Sequence, residues 1–202
     1  AETGRAGYCF HHNGAFAALL TELGFRMSRR HGHVWTDEEH RWGTSLNHLV
    51  LVAHDLPTTA NPDGHWWVDV GLGDGFVEPL PLVAGRHDRD GFLFELDAVS
   101  AAGWSFRHDP LGSFSGAEIS DRPIDIGAAH ALLSTGPDSH FTRFLIVQRQ
   151  DGRGTHTLRG CVLSRVEPGR SHAVAELTSY DAWRAALAEP IGLPLDDLPS
   201  AE

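Results

Sequence analysis

Near its start this chain shows one helical apolar period, and most of the remaining sequence alternates like strands. Phe16, Leu19, Leu20 and Leu23 fall at i, i+3, i+4 and i+7, which is one face of a helix, and Gly24 offers a C-terminal stop. The spacing predicts a helix over roughly residues 9–23. Strand-like stretches then recur at 25–34, 46–54, 66–70, 92–96 and 104–108. The turn Asn61-Pro62-Asp63-Gly64 separates the second from the third. A second helix is expected near 126–133. A strand at 141–149, the turn Asp151-Gly152-Arg153-Gly154 and strands at 155–159 and 161–166 come next. A last helix is expected at 180–188, capped by Thr178 or Ser179. One helix, many strands and then mixed elements argue for an α+β fold built on a curled antiparallel sheet or barrel.

Charge and composition narrow the chemistry. All 16 cationic residues are Arg, against 27 acidic residues, for a net charge of −11. Without Lys there is no Lys Schiff base, pyridoxal-phosphate Lys or phosphate-loop Lys. The acidic balance argues against a nucleic-acid partner, which requires a clustered basic surface. No apolar run approaches a membrane span, so no membrane partner is expected. The two Cys cannot build a disulfide framework, and Asn13, Asn47 and Asn61 start no glycosylation sequon. These features favour a reducing, cytoplasmic setting. Cys161, in an expected strand, reads as a buried inert thiol.

Three residues stand out. Cys9 falls at the start of the first helix, where free amides and the helix dipole favour a thiolate. His48 begins the apolar run Leu49-Val50-Leu51-Val52, so a core strand would hold its imidazole rigidly. Asp69 sits in Trp66-Trp67-Val68-Asp69-Val70, where a carboxylate is costly unless paired. If the two strands are antiparallel neighbours, Asp69 can face His48 across the ladder and fix its tautomer. Together they would form a Cys-His-Asp triad, with the thiolate attacking a carbonyl or thioester carbon. Each also has an ordinary structural reading: a small buried helix-start residue, a strand-edge His, and an Asp bonded to a local turn.

The neighbours of these residues carry a resemblance. Arg5-Ala6-Gly7-Tyr8-Cys9-Phe10 resembles the Arg-Gly-Gly-Tyr-Cys-Phe segment of arylamine N-acetyltransferases. His48-Leu49-Val50-Leu51-Val52 resembles the family's His-bearing strand, and Asp69-Val70-Gly71-Leu72-Gly73 its Asp-Val-Gly-Phe-Gly segment. Ser134-Thr135 through Ser139 and Phe141, then Arg149 and Gly152-Arg153, resemble a later segment. The resemblance implies a cysteine-proteinase-like arrangement: Cys on an N-terminal helix, a central antiparallel β-barrel and a C-terminal α/β lid. The corresponding domains are 1–24 as the remnant of a helical bundle, 25–125 as the barrel and 126–202 as the lid. It further implies ping-pong acetyl transfer. Acetyl-CoA acetylates Cys9, His48 moves the proton, Asp69 orients His48, and an arylamine, arylhydroxylamine or hydrazine accepts the acetyl group. Phe10, Asn47, Gly71, Leu72 and Gly73 are the implied substrate-binding residues. The implied partners are acetyl-CoA and a small amine, with homo-oligomerisation left open.

The chain departs from that pattern in places. Family members carry several dozen residues before the Cys; here eight do, so a chain truncated upstream is expected. Ala6 replaces Gly, His11-His12 replaces a pair such as Glu-Gln, Leu72 stands where an aromatic is usual, and the loop at 55–64 is longer. Two other signals are set aside. Gly71-Leu72-Gly73-Asp74-Gly75 precedes no helix, so it fails as a dinucleotide loop. His31-x-His33 lacks a third ligand at metal spacing, so no metal is expected. Alternatives to acetyl transfer are an amide synthase taking a carrier-bound acyl thioester, a thiol hydrolase or transglutaminase-like enzyme, and a non-catalytic binding module.

Overall fold

The computed structural model describes residues 7–137, 139–169 and 173–194, with His140 by its backbone alone. Arg5 and Ala6, which open the Cys9 segment, lie outside the described residues. The chain divides into two compact units, Ala1–Ala131 and Leu132–Glu202.

In the first unit, α1 (Cys9–Glu22) precedes β1 (Arg26–Trp35) and β2 (His48–His54). Next come β3 (Trp66–Val68), β4 (Leu80–Pro81), β5 (Gly85–Arg89), β6 (Phe92–Ser100), β7 (Gly103–Arg107) and β8 (Gly116–Ser120). All eight strands join one antiparallel sheet in the order β4-β3-β2-β1-β8-β7-β6-β5. The sheet curls on itself. Trp67 of β3 meets Trp104 and Phe106 of β7 at ring-centroid distances of 5.6 and 5.0 Å, although three strands lie between them in the sheet. Val50, Val52, Phe94, Leu96, Ala117 and Ile119 join them in the interior. Aromatic edge-to-face packing of this kind adds to ordinary area burial.

Strand β2 is buried on nearly every residue because both of its faces are covered. Val50 and Val52 join the barrel core, while α1 packs on β2 and β1. This explains its continuous apolar run. The face of α1 that does the packing is not the one that carries the apolar period. Cys9, Phe10, Asn13 and Ala17 are buried, whereas Leu19 is 54% and Leu23 64% exposed. Asn13 donates to the backbone oxygen of Leu49, so helix and strand approach closely there, and small side chains suit that approach. Gly24, at φ 89°, ends the helix as expected.

Strands β4, β5 and β8 carry little apolar alternation and are invisible in the sequence pattern. In β8, a Cβ at Gly116 would lie 2.3 Å from the backbone oxygen of Phe106 and 2.6 Å from the Trp35 ring, so the strand opens on a glycine where an apolar side chain would have marked it. The expected strand at 66–70 stops at Val68, where the backbone turns to bond the side chains of Asn13 and Asp69.

The second unit holds α3 (His140–Arg143), β9 (Ile146–Gln150), β10 (Thr155–Arg159), β11 (Val162–Val166), β12 (Ala173–Glu176) and α4 (Tyr180–Ala188). Helix α2 (Ile126–Thr135) crosses the division between the units. The four strands pair antiparallel in the order β12-β11-β10-β9. Leu158, Leu187 and Ile191 form their core with Val147, Leu163 and Trp183. Ser179, rather than Thr178, caps α4 by accepting from the Ala182 amide. Residues 141–143 are helical where a strand was expected, because the Ser139 hydroxyl accepts from the Phe141 amide and starts a turn. Cys161 is exposed, not buried: Gly160 and Cys161 form the two-residue link between β10 and β11. No helix among the described residues is long and apolar enough to cross a membrane.

Candidate active site

Cys9 is the first residue of α1 and 5% exposed. Its N-cap, Tyr8, is extended and offers no side-chain cap, and the first turn holds no acidic residue. The sulfur therefore sits at the positive end of a helix dipole. The thiol points to the backbone oxygen of Asn47 at 3.6 Å. The Asn47 side chain is committed elsewhere: its Oδ1 accepts from the Val34 amide at 2.7 Å and its Nδ2 donates to the Val34 carbonyl at 2.8 Å. That pair fastens Asn47, and with it His48, to β1.

His48 begins β2 and is buried. Its Nε2 donates to Asp69 Oδ2 at 2.7 Å. The two residues are not directly opposite. The register sets Val68 against Leu51, so Asp69 lies past the end of the ladder and reaches His48 diagonally. Burial works against charge on the imidazole, but the Asp69 charge and hydrogen bond outweigh it. With a further contribution from the Cys9 thiol, the His48 pKa is raised to about 10.

Asp69 accepts four hydrogen bonds. Oδ2 takes those of His48 and of Trp67 Nε1 at 3.1 Å; Oδ1 takes Asn13 Nδ2 at 2.7 Å and the Gly71 amide at 2.9 Å. These bonds end β3. The Val70 amide turns to Asn13 Oδ1 at 2.9 Å and the Gly71 amide to Asp69, so neither continues the ladder. Both carboxylate oxygens are thereby fixed in direction.

Gly71 lies against Cys9. A Cβ there would be 2.7 Å from Cys9 Cα, a distance real side chains do not reach, so only Gly admits the loop. Gly73 adopts φ 72° on the same loop. Leu72 is buried in the barrel core, and Phe10 is buried beside the Tyr8 ring. His12 Nδ1 faces the Val70 carbonyl at 3.2 Å. The structure thus brings Cys9, His48, Asp69, Asn47 and Gly71 together and turns Leu72 inward.

Two groups at this site are missing from the sequence reading: Asn13 and the Trp67 indole N–H. The signal for Asn13 was a polar residue one turn after Cys9 on the same helix face. His33, of the His31-x-His33 pair, has Nδ1 facing Ser45 and Nε2 facing the His40 carbonyl at 2.8 Å. No group of three or more His, Cys, Asp or Glu placed to hold a metal occurs among the described residues.

A family model described as N-acetyltransferase matches residues 2–199. An arylamine N-acetyltransferase of Mycolicibacterium smegmatis is 30% identical over 207 residues, covering 96% of this chain and 71% of that protein. A proansamycin X synthase of Amycolatopsis mediterranei is 35% identical over 94 residues, covering 46% of this chain and 34% of that protein. The solved structure of Mycobacterium marinum arylamine N-acetyltransferase in complex with CoA superposes with a TM-score of 0.80 at 25% identity. It covers 97% of this chain and 73% of that one.

Proposed function

The chain belongs to the N-acetyltransferase family, a family of acyltransferases, and on that premise we propose that it is an acetyl-CoA-dependent arylamine N-acetyltransferase working through Cys9. The observation that carries the reading is the fully bonded Asp69 carboxylate holding His48, with the Cys9 thiol alongside. His48 takes the thiol proton on the ring nitrogen that Asp69 leaves unused. The thiolate attacks the carbonyl carbon of acetyl-CoA, the C–S bond to CoA breaks, and His48 returns the proton to the departing CoA sulfur. The acceptor amine then attacks acetyl-Cys9. As the new C–N bond forms, the C–S bond of acetyl-Cys9 breaks, and the amine proton passes to His48 and on to the released Cys9 sulfur. Asp69 stays ionised throughout and stabilises the imidazolium. The CoA-bound relative supports acetyl-CoA as the donor substrate. Gly71 and Gly73 give substrate room to approach the backbone, with Phe10, Asn47 and Leu72 supporting that wall.

The test is incubation with acetyl-CoA followed by intact mass. One acetyl group should appear on Cys9 and be released by an arylamine, and Cys9→Ala should abolish both. A folded sample that gains no acetyl group would overturn the reading. The likeness to the proansamycin X synthase supports a second reading: the same triad passing a longer acyl group from a carrier-bound thioester to an amine. Reaction with such a thioester but not with acetyl-CoA would select it.

A further inference from the structure

We propose that Asn13 is a positioning residue for this site: its carboxamide orients the Asp69 carboxylate and ties the nucleophile's helix to the base's strand. The inference rests on the reading of Cys9, His48 and Asp69 as the reacting unit. Asn13 has no exposed surface. Both hydrogens of Nδ2 are used, one on the Leu49 carbonyl and one on Asp69 Oδ1, each at 2.7 Å. Its Oδ1 accepts the Val70 amide at 2.9 Å. The orientation of this amide is forced, because flipping it would turn an oxygen toward a carbonyl and a carboxylate.

Three consequences meet at one side chain. Asn13 lies one helical turn after Cys9, on the same buried face, so its bond to Leu49 sets how closely the nucleophile's helix approaches β2. The bond to Val70 draws the chain out of the β3 ladder just after Asp69. The bond to Asp69, together with the Gly71 amide, anchors Oδ1 and leaves Oδ2 directed at His48 and Trp67. A hydrogen bond donated to a carboxylate fixes its orientation. Removing it frees the carboxylate to turn from His48, which weakens the support Asp69 gives a charged imidazole and so the thiolate beside it. A hydrophobic residue of similar size would fill the space but supply none of this.

The test uses the whole chain and reads alkylation of Cys9 by iodoacetamide against pH. It is followed on the Cys9 peptide by mass so that exposed Cys161 does not contribute. Asn13→Ala should slow alkylation at neutral pH by about tenfold to a hundredfold, the range for a lost bond to a charged group. Its acid limb should move to higher pH. A folded Asn13→Ala with the wild-type rate and limb overturns the proposal, since a merely structural role would lower stability without moving the limb. Asn13→Asp keeps the volume and sets a second carboxyl against Asp69. It should lose rate relative to wild type as pH rises and that carboxyl ionises; an unchanged profile also overturns the proposal. Should neither variant fold, the unaltered chain still answers: the Asn13 side-chain amide signal in ¹⁵N NMR should shift when Cys9 is alkylated, and an unmoved signal overturns the proposal. Alkylation that depends on Asn13 in a chain that forms no acetyl-Cys9 leaves the positioning role standing and removes acetyl transfer.

Discussion

The loop after β3 holds two aspartates five residues apart, each buried and each beside a buried histidine, and only one pair stands beside a thiol. In the first, Asp69 aims an oxygen at His48 Nε2 at 2.7 Å, and the imidazole also feels the Cys9 thiol. In the second, the Asp74 carboxylate is taken by Ser113, through the amide at 2.6 Å and the hydroxyl at 2.7 Å. Its nearest approach to His108 Nε2 is 3.8 Å. Both ring nitrogens of His108 face backbone oxygens, those of Asp109 at 3.1 Å and Asp74 at 3.0 Å, and Phe94, Phe106 and Phe114 enclose the ring. Residue types and burial are the same, and the partners differ. The His108 pair pins the loop that carries Gly71 and Gly73 to the segment before β8, whereas the His48 pair faces the Cys9 thiol.

The strongest way to break this contrast is Asp69→Asn. Whichever way the amide lies, its NH₂ meets two of the donors that Asp69 now accepts. Acetyl transfer should fall by about a thousandfold or more, by analogy with other triads that lose their carboxylate. Steady-state rates on folded protein check it. A loss below tenfold would mean that Asp69 orients the imidazole no better than Asp74 does.

Stability against pH sharpens the same contrast. The folded-state pKa of His48 lies above its ordinary value of 6.5, at about 10. Its contribution is therefore fully present below pH about 6.5 and is lost as pH rises through about 10. The loss should be on the order of a few kcal/mol, read from urea midpoints across that window. The chain has no Lys, which removes the side chains that most often titrate at the upper end of that window. Asp69→Asn should flatten the decline, and an equally steep decline in that variant would remove His48 as its source.

His108→Gln comes next. It takes away the ring that the phenylalanines enclose and at least one buried bond to a carbonyl, so stability should drop by about 1–3 kcal/mol. Gly112 allows the ring its place, since a Cβ there would lie 2.0 Å from His108 Nδ1. The pH profile of Cys9 alkylation should keep its shape. A shifted acid limb would place His108 in the proton inventory of the site and dissolve the distinction.

How much of this was legible in the sequence depends on what each residue needs. Cys9, His48 and Asp69 were legible because each sits at the boundary of an element whose pattern is strong, and because their neighbours resemble a known family. The curled sheet was legible from β2, β3, β6 and β7, whose apolar side chains fill the barrel. The packed face of α1 was not, because size suggested Phe16, Leu19, Leu20 and Leu23, whereas close approach to β2 selects Cys9, Asn13 and Ala17. Asn13 was hidden for the same reason. Its three partners, Leu49, Asp69 and Val70, are 36, 56 and 57 residues away, and no local spacing reports them. Strand β8 was hidden because Gly116 answers to the Trp35 ring and not to a period of two.

The smallest effect expected is that of Ser113→Ala. The hydroxyl donates to Asp74 Oδ1 at 2.7 Å, while the Ser113 amide bonds Oδ2 independently at 2.6 Å. Removing the hydroxyl leaves the carboxylate its backbone partner, and His108 Nε2, 3.8 Å from Oδ1, can move toward the oxygen released. The cost should then be about 0.5–1.5 kcal/mol, that of one ordinary hydrogen bond, with acetyl transfer within about twofold of wild type. Chemical denaturation and a steady-state rate measure both. If Ser113→Ala costs as much activity as stability, the clamp at Asp74 reaches the reacting residues through the loop that bears Gly71, and the two histidine–aspartate pairs act as one unit. If stability alone moves, Asp74 and His108 hold the loop in place and leave the chemistry to Cys9, His48 and Asp69.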